Sequence, residues 1–190
     1  MRATETRRWT REEYYRMAEE GIFKPGERVE LIDGEIFTMT PQRSLHATAV
    51  HLAGQALAAS LGAQFSVRMQ APLALNEDSE PEPDIAVVRG SARDYRDAHP
   101  STAVLVVEVS ETSLVHDRER KGRLYARAGI SEYWIINLTD RRVDVYRDPA
   151  ASATAGAEST YNSVRYYTPG QAISPLHAPD ARIAIDDLLP

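Results

Sequence analysis

Two acidic residues stand at the ends of apolar segments, where their carboxylates could bind a metal ion. Asp84 directly precedes the apolar run Ile85–Val88, and Glu108 directly follows the apolar run Val104–Val107. If these runs form neighbouring strands, about 4.8 Å apart, the two carboxylates face each other and repel by about 3 kcal/mol at an effective dielectric constant of about 20. A proton, a basic side chain or a metal ion would relieve this repulsion.

Carboxylate oxygens suit Mg²⁺ or Mn²⁺, which bind few protein ligands and keep several waters. We therefore predict a divalent-metal site at Asp84 and Glu108. Each acid could instead end a strand in solvent, and for Asp84 alone this alternative is equally good. It is a weaker account of Glu108, because an acid between Val107 and Val109 costs free energy unless it has a partner.

Lys121 is the predicted third member of this site. It lies in the predicted helix Leu114–Ala128, where Asp117, Lys121 and Tyr125 share one face at positions i, i+4 and i+8. Lys24 and Lys121 are the two lysines of the chain, and the other cationic side chains are arginines. A lysine retained here could orient a metal-bound water or stabilise negative charge in a transition state. The alternative is an ordinary surface ion pair with Asp117.

Three more residues are candidates for supporting roles in catalysis. Glu30 lies inside the apolar run Val29–Ile32 and is either a further metal ligand or an outward-facing residue of an alternating strand. His46 opens a long predicted helix and could be a general base, a group that supports a ligand or a structural histidine. Gln70 precedes Asp84 in an extended segment and could orient a water.

Three arginines form the predicted nucleic-acid-binding surface. Arg120, Arg123 and Arg127 follow one another at i, i+3 and i+7 on another face of the predicted helix. Together with Arg141 and Arg142 they could face phosphate groups. The alternative is a solvated charged face without a ligand.

These side chains must be positioned by a sheet with helices packed against it. Asp33-Gly34 between two short apolar runs predicts a hairpin with a type I′ turn. The segment Ala103–Asn137 predicts a strand, a helix and a second strand, which usually pair in parallel. The sequence therefore predicts an α/β (α+β mixed) fold with a mixed sheet flanked by helices, preceded by an N-terminal helix and a β-hairpin.

The remaining predicted elements complete one domain over residues 1–190, with a core at about 27–147 and C-terminal strands within 161–190. They are a helix capped by Thr10 and Glu13, a helix from about Ser44 to Leu61, an extended segment Phe65–Leu75, a hairpin around Thr139–Arg141, a loop Pro149–Thr160, and strands Ser163–Tyr167 and Arg182–Ile185.

Composition restricts the classes of function. The chain has no cysteine, which excludes disulfides, thiolate nucleophiles and cysteine-based zinc sites. Its net charge of −6 means that contact with nucleic acid must use a local basic patch or a bridging cation. No apolar run approaches the roughly 20 residues of a membrane-spanning helix, and the polar N-terminus is not typical of a secretory signal. A cytoplasmic location without membrane contact is expected.

A set of motifs in this order resembles the Uma family, bacterial proteins classed as endonucleases and once filed as a domain of unknown function. The motifs are Glu30-Leu31-Ile32-Asp33-Gly34-Glu35, Pro41, His46, Pro83-Asp84, Val107-Glu108-Val109-Ser110, Asp117…Lys121…Tyr125, Gly129 and Glu132-Tyr133-Trp134. The family is similar to the PD-(D/E)xK superfamily of restriction-endonuclease-like proteins, and the resemblance covers roughly residues 10–146.

The resemblance implies a restriction-endonuclease-like core, with Asp84 and Glu108 as the metal-binding acids. It implies Mg²⁺ or Mn²⁺ as cofactor and nucleic acid, above all DNA, as substrate, and it points to a homodimer. The lysine of the superfamily usually lies two residues after the second acid, where this chain has Ser110. Lys121 is the candidate for a relocated catalytic lysine.

Two classes of function compete on this basis. The first is a metal-dependent endonuclease that hydrolyses phosphodiester bonds. The second is an inactive module that retains the nuclease fold and binds nucleic acid or protein, which the net acidity and Ser110 favour. A hydrolase of small phosphodiesters is a third interpretation.

Overall fold

The computed structural model describes residues 6–150 and 159–190. Its strands are β1 (Val29–Ile32), β2 (Glu35–Thr38), β3 (Phe65–Met69), β4 (Ile85–Arg89), β5 (Leu105–Ser110), β6 (Glu132–Asn137), β7 (Arg142–Ala150), β8 (Thr160–Tyr167), β9 (Ala172–Ile173) and β10 (Ile183–Ala184). Its helices are α1 (Arg11–Glu19), α2 (Ser44–Ser60), α3 (Leu114–His116) and α4 (Gly122–Arg127), with a π-helical turn at Asp117–Lys121 and 3₁₀ turns at Ala92–Tyr95 and Ile185–Asp187. No helix in these two ranges is long and apolar enough to cross a membrane.

Six strands form the central sheet, in the order β3-β4-β5-β6-β7-β8. The pair β5–β6 is parallel, because α3, the π turn and α4 carry the chain back between them, and the other neighbours are antiparallel. Every residue of β5 and β6 is buried. The predicted mixed sheet with flanking helices is therefore confirmed.

Apolar layers cover the two faces of this sheet. On one face α2 packs through small and branched residues, among them Ala49, Ala53 and Leu57. On the other face α4 packs through Leu124 and Tyr125. The two layers fix how each helix end approaches the sheet, and this determines which side chains can reach the strand ends.

The β1–β2 hairpin lies outside the central sheet as a two-stranded ribbon. Asp33 and Gly34 both have positive φ, 52° and 73°, as a type I′ turn requires. A Cβ atom on Gly34 would lie 2.5 Å from Cβ of Arg8, so the turn must pack closely against the N-terminal segment. The predicted hairpin and the Thr10–Glu13 capping box of α1 are both present.

The helix predicted over Leu114–Ala128 is interrupted in the structure. A π-helical turn replaces regular α-helix at Asp117–Lys121, where the amide of Gly122 donates to the carbonyl of Asp117. Such turns add one residue to a helix and rotate the residues that follow it. Residue periodicity alone did not reveal this addition.

The loop predicted over Pro149–Thr160 is wrong at its ends. Pro149 pairs with Tyr161 and Ala150 with Thr160, so β7 and β8 extend into it. Pro149 is tolerated because the pairing of β7 with β6 ends at Arg147, leaving Pro149 beyond that ladder. The middle of this segment, residues 151–158, lies outside the described residues.

The packing of α2 gives a test of the fold. Leu57→Ala removes a fully buried side chain and is expected to lower the free energy of unfolding by about 2 to 5 kcal/mol, as measured by urea denaturation. Leu45→Ala on the same helix, where the side chain is 46% exposed, is the control and should change stability by less than about 0.5 kcal/mol. Equal losses in the two variants would contradict the packing described.

Candidate active site

The pairing of β4 with β5 places Asp84 opposite Glu108. Ile85 pairs with Val107 in antiparallel register, and Asp84 and Glu108 are the next residues beyond this pair, so their side chains leave the same face of the sheet. They are nearly buried, with 8% and 3% of their surface exposed. Both line a cleft of about 350 Å³ whose other walls come from the hairpin, the start of α2 and the π turn.

Glu108 is held by two donors from the helix above it. Lys121 Nζ lies 3.1 Å from Oε1 of Glu108, and the Tyr125 hydroxyl donates to the same oxygen at 2.7 Å. Burial raises the pKa of Glu108 to about 8; Lys121 opposes this shift, and the nearby acids Asp84, Asp117 and Glu30 add to it. The carboxyl group is thus fixed in one orientation, and burial and the neighbouring acids disfavour its ionised form.

Lys121 is itself buried and lies between two carboxylates. Its Nζ is 3.2 Å from Oε2 of Glu30 as well as 3.1 Å from Glu108. The amide of Glu82 donates to the same Glu30 oxygen at 3.1 Å. Burial lowers the pKa of Lys121, but the four surrounding acids outweigh it and the net pKa is raised. The ammonium is therefore kept charged inside the cleft and is not part of a surface ion pair.

Asp84 is oriented by three elements of the fold. His46, near the start of α2, places Nε2 2.9 Å from Oδ1 of Asp84, and the amide of Val109 donates to Oδ2 at 2.8 Å. The carboxamide of Gln70 lies 3.5 Å from Oδ1. The hydrogen bond to Asp84 raises the pKa of His46 despite its partial burial.

The π turn brings both Asp117 and Lys121 into the interior. The carbonyl of Asp117 accepts from the amide of Gly122 and also from the Tyr133 hydroxyl at 3.0 Å, so the widened turn is held by a side chain of β6. The Asp117 carboxylate accepts from the Ser113 hydroxyl at 2.6 Å, and burial raises its pKa. Single π turns are frequent at functional sites.

The predicted arginines do not converge on this cleft. Arg120 pairs with Glu35 at 2.7 Å and lies over the Phe37 ring at 4.6 Å. Arg127 pairs with Asp33. These two arginines fasten the hairpin to α4 and the π turn. Arg123 lines a separate cleft on the side of β8.

The structure thus brings together all five predicted catalytic residues and separates them from the predicted arginine surface. Glu30, His46, Asp84, Glu108 and Lys121 line one cleft. Residue patterns alone assign no role to Tyr125, Ser113 or the amide of Val109. Tyr125 could have been found from its position four residues after Lys121 on the same helical face.

The donors present fit a hard divalent cation. Four buried acidic side chains, from Glu30, Asp84, Glu108 and Asp117, surround one ammonium group, and an additional cation would favour the ionised forms of these acids. Within residues 6–150 and 159–190 no three His, Cys, Asp or Glu side chains form a complete metal cluster. Mg²⁺ commonly binds through one or two carboxylates and takes its other ligands from water or substrate phosphate, so Asp84 and Glu108 are the candidate donors.

Comparison with known proteins supports a nuclease fold. A family model described as "Uma2: Putative restriction endonuclease" matches residues 11–186. The chain is also similar to a solved structure described as a "putative nuclease belonging to DUF820", from Anabaena variabilis ATCC 29413, with a TM-score of 0.67, 17% identity, and coverage of 94% of this chain and 96% of that chain. No curated protein matches. The resemblance and the restriction-endonuclease-like fold predicted from the sequence are confirmed.

Charge balance around Lys121 is open to a direct test. Lys121→Met leaves Glu30 and Glu108, each with a side chain only 5% exposed, without their ammonium partner. The expected cost in unfolding free energy, measured by urea denaturation in the presence of chelator, is about 3 to 5 kcal/mol.

Adding Glu30→Gln to Lys121→Met should recover part of that loss, because one unpaired charge is removed. Arg96→Met is the control, since its ion pair with Asp97 is exposed on both sides and should contribute little. A Lys121→Met protein as stable as the wild type would show that the acids do not depend on Lys121.

Proposed function

Because the chain belongs to the Uma2 family, described as "Putative restriction endonuclease", we propose that it hydrolyses phosphodiester bonds in DNA with the help of Mg²⁺ or Mn²⁺. One observation carries the proposal: two facing carboxylates, Asp84 and Glu108, share a cleft with an ammonium group 3.1 Å from one of them. Two acids can hold a divalent cation, and a lysine can stabilise the negative charge of a phosphoryl-transfer transition state.

Asp84 and Glu108 are the residues that would hold the cation. A divalent cation held there would polarise the phosphate and lower the pKa of an attacking water. The two carboxylates need little rearrangement to serve as ligands, because His46 and the amide of Val109 orient Asp84 while Tyr125 and Lys121 orient Glu108. Preorganisation of this kind reduces the free-energy cost of binding.

Lys121 is the proposed catalytic cation. Its ammonium is held charged by the surrounding acids and can stabilise the negative charge that develops on the phosphoryl oxygens. Ser110, at the usual position of the superfamily lysine, is buried, with Oγ 3.5 Å from Oγ of Ser113. Lys121 reaches Glu108 from the helix instead of from the strand, which supports a relocated lysine.

Glu30 and His46 are proposed to act at the rim of the site. Glu30 fixes Lys121 from the hairpin side, and His46 fixes Asp84 from the side of α2. Glu30 thus links the hairpin to Lys121, and His46 links α2 to Asp84. The preference for DNA, the homodimer and the cytoplasmic location stay predictions from the sequence.

A second candidate function is a non-catalytic binding module. Arg120 and Arg127 are occupied by ion pairs within the chain, and the net charge is −6, which favours a protein partner or nucleic acid bound through other residues. A module of this kind would bind nucleic acid equally well with chelator and with Mg²⁺. The nuclease proposal requires metal dependence.

Metal binding can be measured before any substrate is known. We expect Mn²⁺ to bind the wild-type protein in a calorimetric titration, and Asp84→Ala to abolish this binding because one of two protein ligands is lost. Asp180→Ala, at an exposed acid outside the cleft, should bind as the wild type does. Unchanged binding by Asp84→Ala would remove Asp84 from the site.

Cleavage is tested with Glu108→Gln, which keeps the shape of the side chain. The variant should retain the fold, as judged by circular dichroism, and lose at least about 100-fold in Mg²⁺-dependent cleavage of plasmid and single-stranded DNA, since its ligand oxygen is no longer anionic. Asp180→Asn should cleave at the wild-type rate. Full activity of Glu108→Gln would refute the proposed site.

A further inference from the structure

The edge strand β3 leads from the candidate active site to an arginine. Gln70, directly after β3, contacts Asp84 through its side chain and through its backbone amide. Arg68 lies two residues earlier, opposite Ala86, about 7 Å along the strand from Gln70. Since side chains alternate along a strand, Arg68 leaves the same face of the sheet as Asp84 and Glu108.

The guanidinium group of Arg68 has unused bonding capacity. It lies 5.6 Å from the centre of the Tyr95 ring, and Nη2 is 3.4 Å from Nδ1 of His99. Its Nε is buried without a hydrogen-bond partner. No carboxylate within residues 6–150 and 159–190 lies at ion-pair distance from Arg68. A cation placed in this way favours an anionic ligand.

Tyr95 and His99 also line an adjacent pocket of about 410 Å³, here called the β3-edge pocket. Tyr15, which is 40% exposed, also lines this pocket, as does Arg11, which pairs with Glu80 at 3.4 Å. The volume falls in the range of roughly 300 to 1,000 Å³ typical of small-molecule sites. Aromatic rings combined with arginines are the groups that proteins use to bind single-stranded nucleic acid.

We propose that the β3-edge pocket binds an unpaired nucleotide next to the phosphodiester that is cleaved, with a base against the exposed ring of Tyr15 and a phosphate on Arg68. This inference rests on the proposed nuclease function and names its substrate: nucleic acid with a single-stranded segment at the active site. A base inside a duplex is covered on both faces by its neighbours, so it must leave the stack before a tyrosine can contact its face.

The test uses a fluorescent DNA oligonucleotide of about 12 nucleotides, either as a single strand or as a duplex. Its binding is measured by fluorescence anisotropy over a range of salt concentrations, once with Mn²⁺ and once with chelator. Arg68→Gln should weaken single-strand binding and reduce the slope of log K against log salt by about 0.7, the value for one phosphate contact. Arg68→Lys should restore the slope, because it keeps the charge.

The aromatic part of the pocket is tested separately. Tyr15→Leu should weaken single-strand binding by about 5- to 100-fold with an unchanged salt slope. Tyr15→Phe keeps the ring, loses the hydroxyl contact to Glu80, and should bind as the wild type does. Matched controls lie on β8, the opposite edge strand, where Arg165 and Tyr166 are exposed. Arg165→Gln and Tyr166→Leu should change neither the affinity for single-stranded DNA nor the slope of log K against log salt.

The outcomes separate this inference from the proposed function. If the wild type cleaves nucleic acid but Arg68→Gln and Tyr15→Leu keep its affinity and slope, or if duplex binds as tightly as single strand, the subsite is refuted and the nuclease stands. If the wild type neither binds nor cleaves nucleic acid with Mn²⁺, both are refuted. Wild-type Mn²⁺ affinity in each variant shows that it is folded and that the metal site is intact.

Discussion

A single buried ammonium group among four carboxylates is the constraint on which the rest of this structure depends. Lys121 contacts Glu108 on β5 and Glu30 on β1, while Asp84 and Asp117 lie close enough to influence its charge. Buried charges are stable only when they are paired and hydrogen-bonded. The sheet, the hairpin and the helix must therefore meet at one point, and each supplies a group that the others need.

The helix meets this requirement through an irregular turn. Asp117 and Lys121 are the first and last residues of the π turn, both are buried, and the turn is held by the Tyr133 hydroxyl. The hairpin is held beside the helix by ion pairs at its tip, where Arg120 and Arg127 bind Glu35 and Asp33. In this way irregular and exposed features outside the core determine the geometry of the cleft.

Much of the fold could be predicted from the sequence, because its signals are local. Alternation of apolar residues, the Asp33-Gly34 turn and the Thr10–Glu13 cap each act within a few residues. The facing of Asp84 and Glu108 could also be predicted, since it needs only two neighbouring strands. The π turn could not, because it depends on a contact between Asp117 and a tyrosine 16 residues away.

The ion pairs of Arg120 with Glu35 and of Arg127 with Asp33 could not be predicted for a related reason: helical spacing gives the face of a residue, not the partner that meets that face. The ends of the Pro149–Thr160 segment were missed because small polar residues predict a loop, while pairing with β8 is decided by the register of the sheet.

The register of the sheet also has a consequence for the folding of the chain. Shifting β4 by one residue against β5 would turn its side chains to the opposite face, and Asp84 would no longer face Glu108. A chain that is still folding, or is folded in the wrong register, therefore lacks the paired acids, so the candidate site exists only in the completed native sheet.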